Sequence, residues 1–396
     1  MADPHGSPQP RISFGRRGAL AGALSLMALA GCTTVVPRGA PPPDRAPPPG
    51  RPQPTQPGQL PSDAQRHRVA LLVPLSGGNA GVGQSIANAA TMALLDTGGT
   101  KVRITTYDTA LGAGAAAARA LADGNRLILG PLLAEDVRAV APAARAAGVP
   151  VIAFSNDASV AGNGTYLMGF SPAQSIERVV AYARSRGMTR FAGLVPGGIY
   201  GRTASAVLIR AVEQAGGSVA AMQTYERQPQ AIAAAVARLG REPYDAVLIA
   251  DGARVAIQAA PLVRRGGGAK AKLLGTELWE TDPAMATSAA LNGAWFASVS
   301  DTMYRQLSTK YRARYGKGPY RLASLGYDAV LLTVRIASEW RVGTPFPARE
   351  LTESGGFAGV DGAFRFRRDG IAERALEVNE VGGGKVSTVS PAPRGF

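Results

Sequence analysis

The chain has 396 residues, a formal net charge of +15 and only 6% aromatic residues. Scarce aromatic residues disfavour a base-stacking surface for single-stranded nucleic acid, and the basic residues are spread along the chain. We therefore expect no nucleic-acid partner. A single cysteine excludes an internal disulfide, so the fold has to be stabilised by its core.

Residues 1–32 have the pattern of a lipoprotein signal peptide. Three arginines within residues 11–17 precede fourteen small or apolar residues, 18–31. That run is too short to span a membrane and is typical of a secretory signal. The tetrapeptide LAGC, which ends at Cys32, resembles a bacterial lipobox, so we predict lipidation at Cys32, and Thr33 favours sorting to the outer membrane. The alternative is a buried cysteine in a short helix, and the paired arginines leave twin-arginine export open.

Residues 33–66 form a predicted linker. Eleven prolines fall within residues 37–61, a composition that favours extended polyproline II at about 3.1 Å per residue. A lipid on Cys32 followed by this spacer predicts a periplasmic, membrane-anchored protein whose folded part stands away from the bilayer.

From residue 67 onward, short apolar strands alternate with alanine-rich helices. The first predicted strands read RVALLVPL, VRITTYD, RLILG and VPVIAFS, and the helices between them span 83–96, 113–122 and 135–147. The pattern pauses at GTYLMGFSP and restarts with a helix for which Ser171, Pro172 and Gln174 predict a capping-box start. There follow the strands RFAGLVP, GSVAAMQTY, DAVLIA and KLLG and the helices 202–215, 230–239 and 253–265. This alternation predicts an α/β fold with parallel sheets, and its restart predicts two similar lobes.

The last section has a different texture. Two helices are predicted at about 302–315 and 322–341, followed by GAFRFRRDG, RALEVNEV and KVSTV. These three segments have the length and the polar turns of short antiparallel strands.

The sequence lacks the residues of common catalytic sites. With only His5 and His67, we expect neither a histidine-activated nucleophile nor a histidine-based zinc site. The loop GGNAGVGQSI follows a predicted strand as a dinucleotide-binding turn does, but Gly78, Gly81 and Gly83 have the wrong spacing. We therefore expect a protein that is not an enzyme and has no cofactor or metal.

Several strings together resemble a known family. They are VALLVPLSG, ITTYDT, LILGPLLAEDV, GVPVIAFSND, YLMGFSP and LGYDAVLL. Over residues 67–390 the chain is similar to the type I periplasmic binding fold. Within that fold it resembles the penicillin-binding protein activators, lipoproteins that regulate cell-wall synthases.

The resemblance implies two Rossmann-like, doubly wound parallel-sheet lobes with a ligand cleft between them. Three chain crossings would join lobe 1, residues 67–170 plus 301–343, to lobe 2, residues 171–300 plus 344–396.

The cleft of such a fold lies at the carboxyl ends of the strands. The resemblance places nine residues there, namely Ser76, Asn79, Leu133, Ala134, Ser155, Asn156, Tyr200, Asp251 and Glu277. Four of them have structural alternatives: Ser155 and Asn156 as turn caps, Tyr200 as a packing residue, and Asp251 as the cap of the following helix.

The segment after GPL distinguishes two functional hypotheses. Branched-chain amino-acid receptors of this fold use hydroxyl groups there, whereas this chain has Leu133 and Ala134, followed by Glu135 and Asp136. An unpaired ligand carboxylate costs about 1–3 kcal/mol, so a free amino acid is disfavoured. The first hypothesis is a regulator that contacts a peptidoglycan synthase. The alternative is a substrate-binding receptor that passes a small polar ligand to the permease of an ABC importer.

Overall fold

The computed structural model describes residues 63–393. The predicted signal peptide, Cys32 and nearly all of the predicted linker lie outside these residues. Between residues 63 and 393, no helix is long and apolar enough to cross a membrane.

Fifteen strands and ten α-helices form within residues 63–393. The strands are β1 (His67–Val73), β2 (Val102–Asp108), β3 (Leu127–Leu129), β4 (Val151–Ala153), β5 (Thr165–Leu167), β6 (Arg190–Pro196), β7 (Ser218–Tyr225), β8 (Ala246–Ile249), β9 (Lys272–Gly275), β10 (Trp295–Ser298), β11 (Phe357–Gly359), β12 (Gly362–Phe366), β13 (Ala372–Arg374), β14 (Glu377–Gly382) and β15 (Lys385–Ser390). The helices are α1 (Ala80–Asp96), α2 (Ala113–Ala122), α3 (Ala134–Ala146), α4 (Pro172–Ser185), α5 (Ile199–Gln214), α6 (Pro229–Leu239), α7 (Ala253–Arg265), α8 (Ala284–Thr287), α9 (Asp301–Tyr315) and α10 (Ala323–Ala337).

Lobe 1 is built on a parallel sheet with the strand order β2-β1-β3-β4-β5. Helices α1 and α10 cover one face of the sheet, and α2 and α3 cover the other. Because both faces are covered, the central strands are almost continuously apolar, and β1 is buried at every position except Arg68.

Lobe 2 repeats this arrangement. Its parallel strands have the order β7-β6-β8-β9-β10, and β14 and β15 extend the sheet in antiparallel fashion. Helices α4 and α5 pack on one face, and α6 and α7 pack on the other. The α/β fold with two parallel-sheet lobes, predicted from the sequence, is confirmed.

The third sheet changes the predicted lobe boundary. Strands β11, β12 and β13 form a small antiparallel sheet, and Phe357, Phe364 and Phe366 are buried in the core of lobe 1. The assignment of residues 344–396 to lobe 2 is therefore wrong for 344–374. These residues pack on lobe 1 because their aromatic side chains complete its core, and only the following strands join lobe 2.

Two parallel strands lie at positions where no strand was predicted. Strand β5 occupies the predicted pause, and β10 closes the parallel part of the second sheet. The predicted capping box is only half formed. The hydroxyl of Ser171 accepts a hydrogen bond from the Ala173 N–H, whereas the Gln174 side chain bonds instead to backbone groups of Ala372 and Arg374.

In each lobe, the first helix packs closely against the backbone at the end of the strand that precedes it. A Cβ atom on Gly83, in α1, would lie 1.8 Å from the carbonyl oxygen of Pro74, and one on Gly201, in α5, would lie 1.7 Å from that of Pro196. Only glycine permits this close contact. The loop between the strand and the helix therefore stays at the carboxyl edge of its sheet.

We predict that Gly83→Ala destabilises the protein by about 1–3 kcal/mol, since the added methyl group has to push α1 away from the Pro74 carbonyl. Gly78→Ala is the matched control, because a Cβ there meets no atom within 4 Å. Urea unfolding of both variants measures the difference. Equal midpoints would contradict this account of the turn.

Candidate functional site

The chain passes between the lobes three times, at residues 168–171, 299–300 and 375–376. A cavity of about 430 Å³ lies beside these crossings and is lined by residues of both lobes. Phe170 and Ser171 of the first crossing, Val299 of the second and Leu376 of the third all contribute to its wall. Pockets of this size are typical of small-molecule sites.

Apolar side chains form most of the cavity wall. Those of lobe 1 come from α1, from the segments that follow β3 and β4 and from the residue before α10, while Leu278 of lobe 2 follows β9. They are Val82, Leu132, Leu133, Phe154, Leu322 and Leu278. The walls thus suit a ligand with an apolar body.

Lobe 2 contributes a hydrogen-bonded carboxyl group. The Ser175 hydroxyl donates to Oε2 of Glu277, and the Tyr200 hydroxyl donates to Oε1 at 3.2 Å and lies 3.1 Å from the Thr276 hydroxyl. Burial raises the pKa of Glu277 because a charged carboxylate loses its hydration there. The same desolvation raises the pKa of Tyr200.

A second carboxyl group, Glu280, faces Arg321 across the lobes. The Glu280 Oε1 atom lies 3.7 Å from Nη2 of Arg321, while Oδ1 of Asp361 lies only 2.7 Å from Nη1 of the same arginine. Burial raises the pKa of Glu280 to about 9, and the neighbouring carboxyl groups of Asp301 and Asp361 raise it further, while the charge of Arg321 opposes this shift.

Arg374, the last residue of β13, is the other cation of the cavity wall. It is 6% exposed, and its Nη2 donates to the carbonyl oxygen of Met168 at 2.7 Å. Two buried carboxyl groups, Asp361 and Asp328, lie near it. Burial and the Asp361 charge raise the pKa of Asp328, whose Oδ1 accepts the Val360 N–H at 2.7 Å.

Four of the nine residues expected in the cleft line this cavity: Asn79, Leu133, Asn156 and Glu277. Tyr200 is not in the wall, but it holds Glu277 through the hydrogen bond described above.

The other four lie elsewhere. Ser76 donates to Asp108 at 2.8 Å and fixes the loop after β1, and Ala134 is the first residue of α3. Ser155 is buried and its hydroxyl accepts the Asp157 N–H, which is the turn-cap alternative.

Asp251 is a structural residue of lobe 2 rather than part of the cavity wall. Its Oδ2 accepts hydrogen bonds from Tyr225 Oη and Arg227 Nε, both at 2.8 Å, and its Oδ1 accepts the Gly252 N–H. Asp251 is 5% exposed, and both of its carboxylate oxygens already accept hydrogen bonds within lobe 2.

Three of the four ionisable residues in the cavity wall were not predicted from the sequence. Glu280 lies in a 3-10 helix after β9, Arg321 precedes α10, and Arg374 ends β13. None of them directly follows a parallel strand, so the strand-end rule does not select them. The local sequence also does not single out Arg374, because several other arginines lie near it in FRFRRDGIAERALEV.

Comparisons with known proteins agree with this architecture. A family model described as periplasmic binding protein matches residues 67–385. A curated relative, an uncharacterized protein of Rickettsia prowazekii, is 28% identical over 170 residues, which are 42% of this chain. The match spans 46% of that relative, so the chain covers less than half of its length.

Solved structures show the same fold at low sequence identity. A putative branched-chain amino acid ABC transporter protein from Rhodospirillum rubrum matches with a TM-score of 0.71 and 20% identity, over 82% of this chain and all of that one. A leucine binding protein from Thermotoga maritima has a TM-score of 0.61 and 20% identity, over 82% and 98%. A solute binding protein of an ABC transporter from Rhodopseudomonas palustris, in complex with 3,4-dihydroxybenzoic acid, has a TM-score of 0.62 and 19% identity, over 83% and 97%.

The chain therefore belongs to the periplasmic binding protein family and has the type I, leucine-binding-protein-like fold. Membership in this family indicates a periplasmic location.

We predict that Glu280→Gln flattens the pH dependence of stability. In the unfolded chain Glu280 loses its proton near pH 4.5, whereas in the folded protein it keeps the proton until about pH 9. Between these two pH values folding takes up a proton, so the stability of the folded protein falls as the pH rises. In Glu280→Gln the free energy of unfolding should therefore fall less steeply with pH, by up to about 1.4 kcal/mol per pH unit.

Urea unfolding from pH 5 to 9 measures this slope in the wild type, in Glu280→Gln and in the control Glu213→Gln, at an exposed position of α5. Parallel curves for Glu280→Gln and the wild type would contradict the neutral state of Glu280.

Proposed function

We propose that the protein is a non-enzymatic receptor that binds a small organic ligand between its lobes. The observation that carries this proposal is the cavity of about 430 Å³ at the crossings, with apolar walls and a few polar groups contributed by both lobes. Small-molecule sites combine these two features, because apolar walls supply affinity and a few polar groups fix orientation.

The known ligands of the relatives support a molecule of this size. One solved neighbour is a leucine binding protein, and another holds 3,4-dihydroxybenzoic acid. Leucine and 3,4-dihydroxybenzoic acid each have an apolar body and an acid group. Because the solved neighbours include ABC transporter solute-binding proteins, delivery to an ABC permease is the corresponding role for this chain.

The receptor proposal predicts that a ligand stabilises the folded protein. A thermal-shift screen with organic acids, amino acids, short peptides and muropeptides tests this. A ligand at 100 times its dissociation constant adds about 2.7 kcal/mol. Leu133→Trp should abolish the shift by filling the cavity.

The control Ile209→Trp, on the exposed face of α5, should leave the shift intact. Failure of every ligand class to stabilise the protein, or a shift that survives in Leu133→Trp, would contradict a ligand site between the lobes.

The second candidate function is regulation of a peptidoglycan synthase by direct contact. The lipobox-like LAGC and the proline-rich tract favour it, because a lipid anchor with a long spacer allows a folded body to reach a partner across the periplasm. Specific binding of a purified synthase domain, without any ligand-induced thermal shift, would favour this function over the receptor.

Both functions share the proposed lipid anchor at Cys32, which we place in the outer membrane. We predict that Cys32→Ser moves the protein from the membrane fraction to the soluble periplasmic fraction, because no acyl chain is then attached. Sucrose-gradient fractionation with immunoblotting measures this, and Ser25→Ala in the signal peptide is the control. A Cys32→Ser protein that still sediments with outer membranes would rule out anchoring through this residue.

A further inference from the structure

Two arginines of the cavity wall have unused hydrogen-bond donors. Nε and Nη2 of Arg321, and Nε and Nη1 of Arg374, are buried without a hydrogen-bond partner among the described residues. A buried donor that is left without a partner destabilises the folded protein. Donors that the protein leaves unpaired beside a cavity point to an acceptor supplied by something else.

Another arginine of the protein, Arg227, has a guanidinium group that is paired with both oxygens of one carboxylate. Arg227 donates from Nε to Oδ2 of Asp251 at 2.8 Å and from Nη2 to Oδ1 at 3.2 Å. No carboxylate pairs in this way with Arg321, whose Nη2 lies 3.7 Å from Glu280 and 3.9 Å from Asp301. These distances exceed a hydrogen bond.

Both guanidinium groups contact the same aromatic ring. The Cζ atoms of Arg374 and Arg321 lie 4.9 and 5.5 Å from the centroid of Phe170, and this ring also lines the cavity. The two arginines therefore belong to one corner of the cavity, beside Phe170 of the first crossing.

The charges of the cavity wall favour an anion in this corner. Its ionisable residues are Glu277, Glu280, Arg321 and Arg374. Burial raises the pKa of Glu280 to about 9 and also raises that of Glu277, which favours the neutral form of both acids beside the two arginines. Behind the wall, Asp361 pairs with Arg321, Asp301 lies 3.9 Å from the same guanidinium group, and Asp328 lies near Arg374, so part of the positive charge is offset.

From these contacts we infer that the ligand is an organic monocarboxylic acid with an apolar body, and that its carboxylate binds the guanidinium groups of Arg321 and Arg374. This inference rests on the proposed receptor function. A carboxylate matches the planar fork of an arginine with two parallel hydrogen bonds. The apolar body then lies against Leu133 and Leu278.

The inference also accounts for the missing hydroxyl groups after β3. With Leu133 and Ala134 at that place, the acid group has its donors on Arg321, before α10, and on Arg374, at the end of β13. An α-ammonium group would be disfavoured near the two arginines, so the acid needs no amino group.

The test compares probes of equal shape and different charge by isothermal titration with the full chain. The probes are 4-methylpentanoate, leucine, 4-methylpentanamide, benzoate and benzamide. We expect each acid to bind roughly 10–100-fold tighter than its amide, as charge-assisted hydrogen bonds predict, and 4-methylpentanoate to bind tighter than leucine.

Variants then locate the acid group. Arg321→Gln should weaken the acids at least tenfold and leave the amides unchanged, and Arg374→Lys, which keeps the charge, should weaken the acids through loss of the fork. Arg227→Gln removes an arginine paired outside the cavity and should leave both classes unchanged. Circular dichroism of each variant checks that it folds, and the acid-to-amide comparison in the wild type stands without any variant.

The outcomes separate this inference from the proposed function. Amides that bind as tightly as their acids, or leucine that binds tighter than 4-methylpentanoate, would overturn the acid assignment and leave the receptor function standing. Equal acid affinity in Arg321→Gln, Arg374→Lys and the wild type would also overturn it. Binding of no probe of any charge would count against the receptor function itself, and the acid assignment would fall with it.

Discussion

The three crossings between the lobes meet at one place, and this constraint determines where the protein can bind anything. Each lobe presents the carboxyl ends of its parallel strands to the other, and the crossings close one side of the space between them. The Gln174 side chain ties the start of α4 to the backbone of Ala372 and Arg374. A ligand in the cavity therefore touches both lobes and the segments that join them.

The same place holds an unusual concentration of buried charge. Arg374, Asp361 and Asp328 are buried, and the side chain of Arg321 beside them is only 15% exposed. Taking such groups out of water costs several kcal/mol per ion unless every partner is supplied, and here several hydrogen-bonding atoms lack a partner. A cluster that served stability alone would be better replaced by apolar residues, so its incomplete pairing is most simply explained by a ligand that completes it. The apolar side chains of the cavity wall then define the rest of that ligand.

The sequence predicts the framework of this protein better than its site. Alternation of short apolar strands with amphipathic helices is a local signal, so α2, α7 and β2 lie where the pattern places them. The rule that sites lie at strand ends finds Asn79, Leu133, Asn156 and Glu277. It also selects Asp251, because nothing in the local sequence shows that Tyr225 and Arg227 occupy its carboxylate. The rule does not select Arg321 and Arg374, since their positions depend on how residues 301–374 pack onto lobe 1. The burial of Phe357 and Phe364 in that lobe is likewise a tertiary effect that short-range periodicity cannot reveal.

The most direct measurement of the central claim is a crystal structure of the protein with the tightest-binding small organic ligand. The account predicts electron density for that molecule between the lobes, with its apolar part against Leu133 and Leu278 and its acid group on Arg321 and Arg374. Density at another surface, with the space between the lobes filled by side chains, would contradict it.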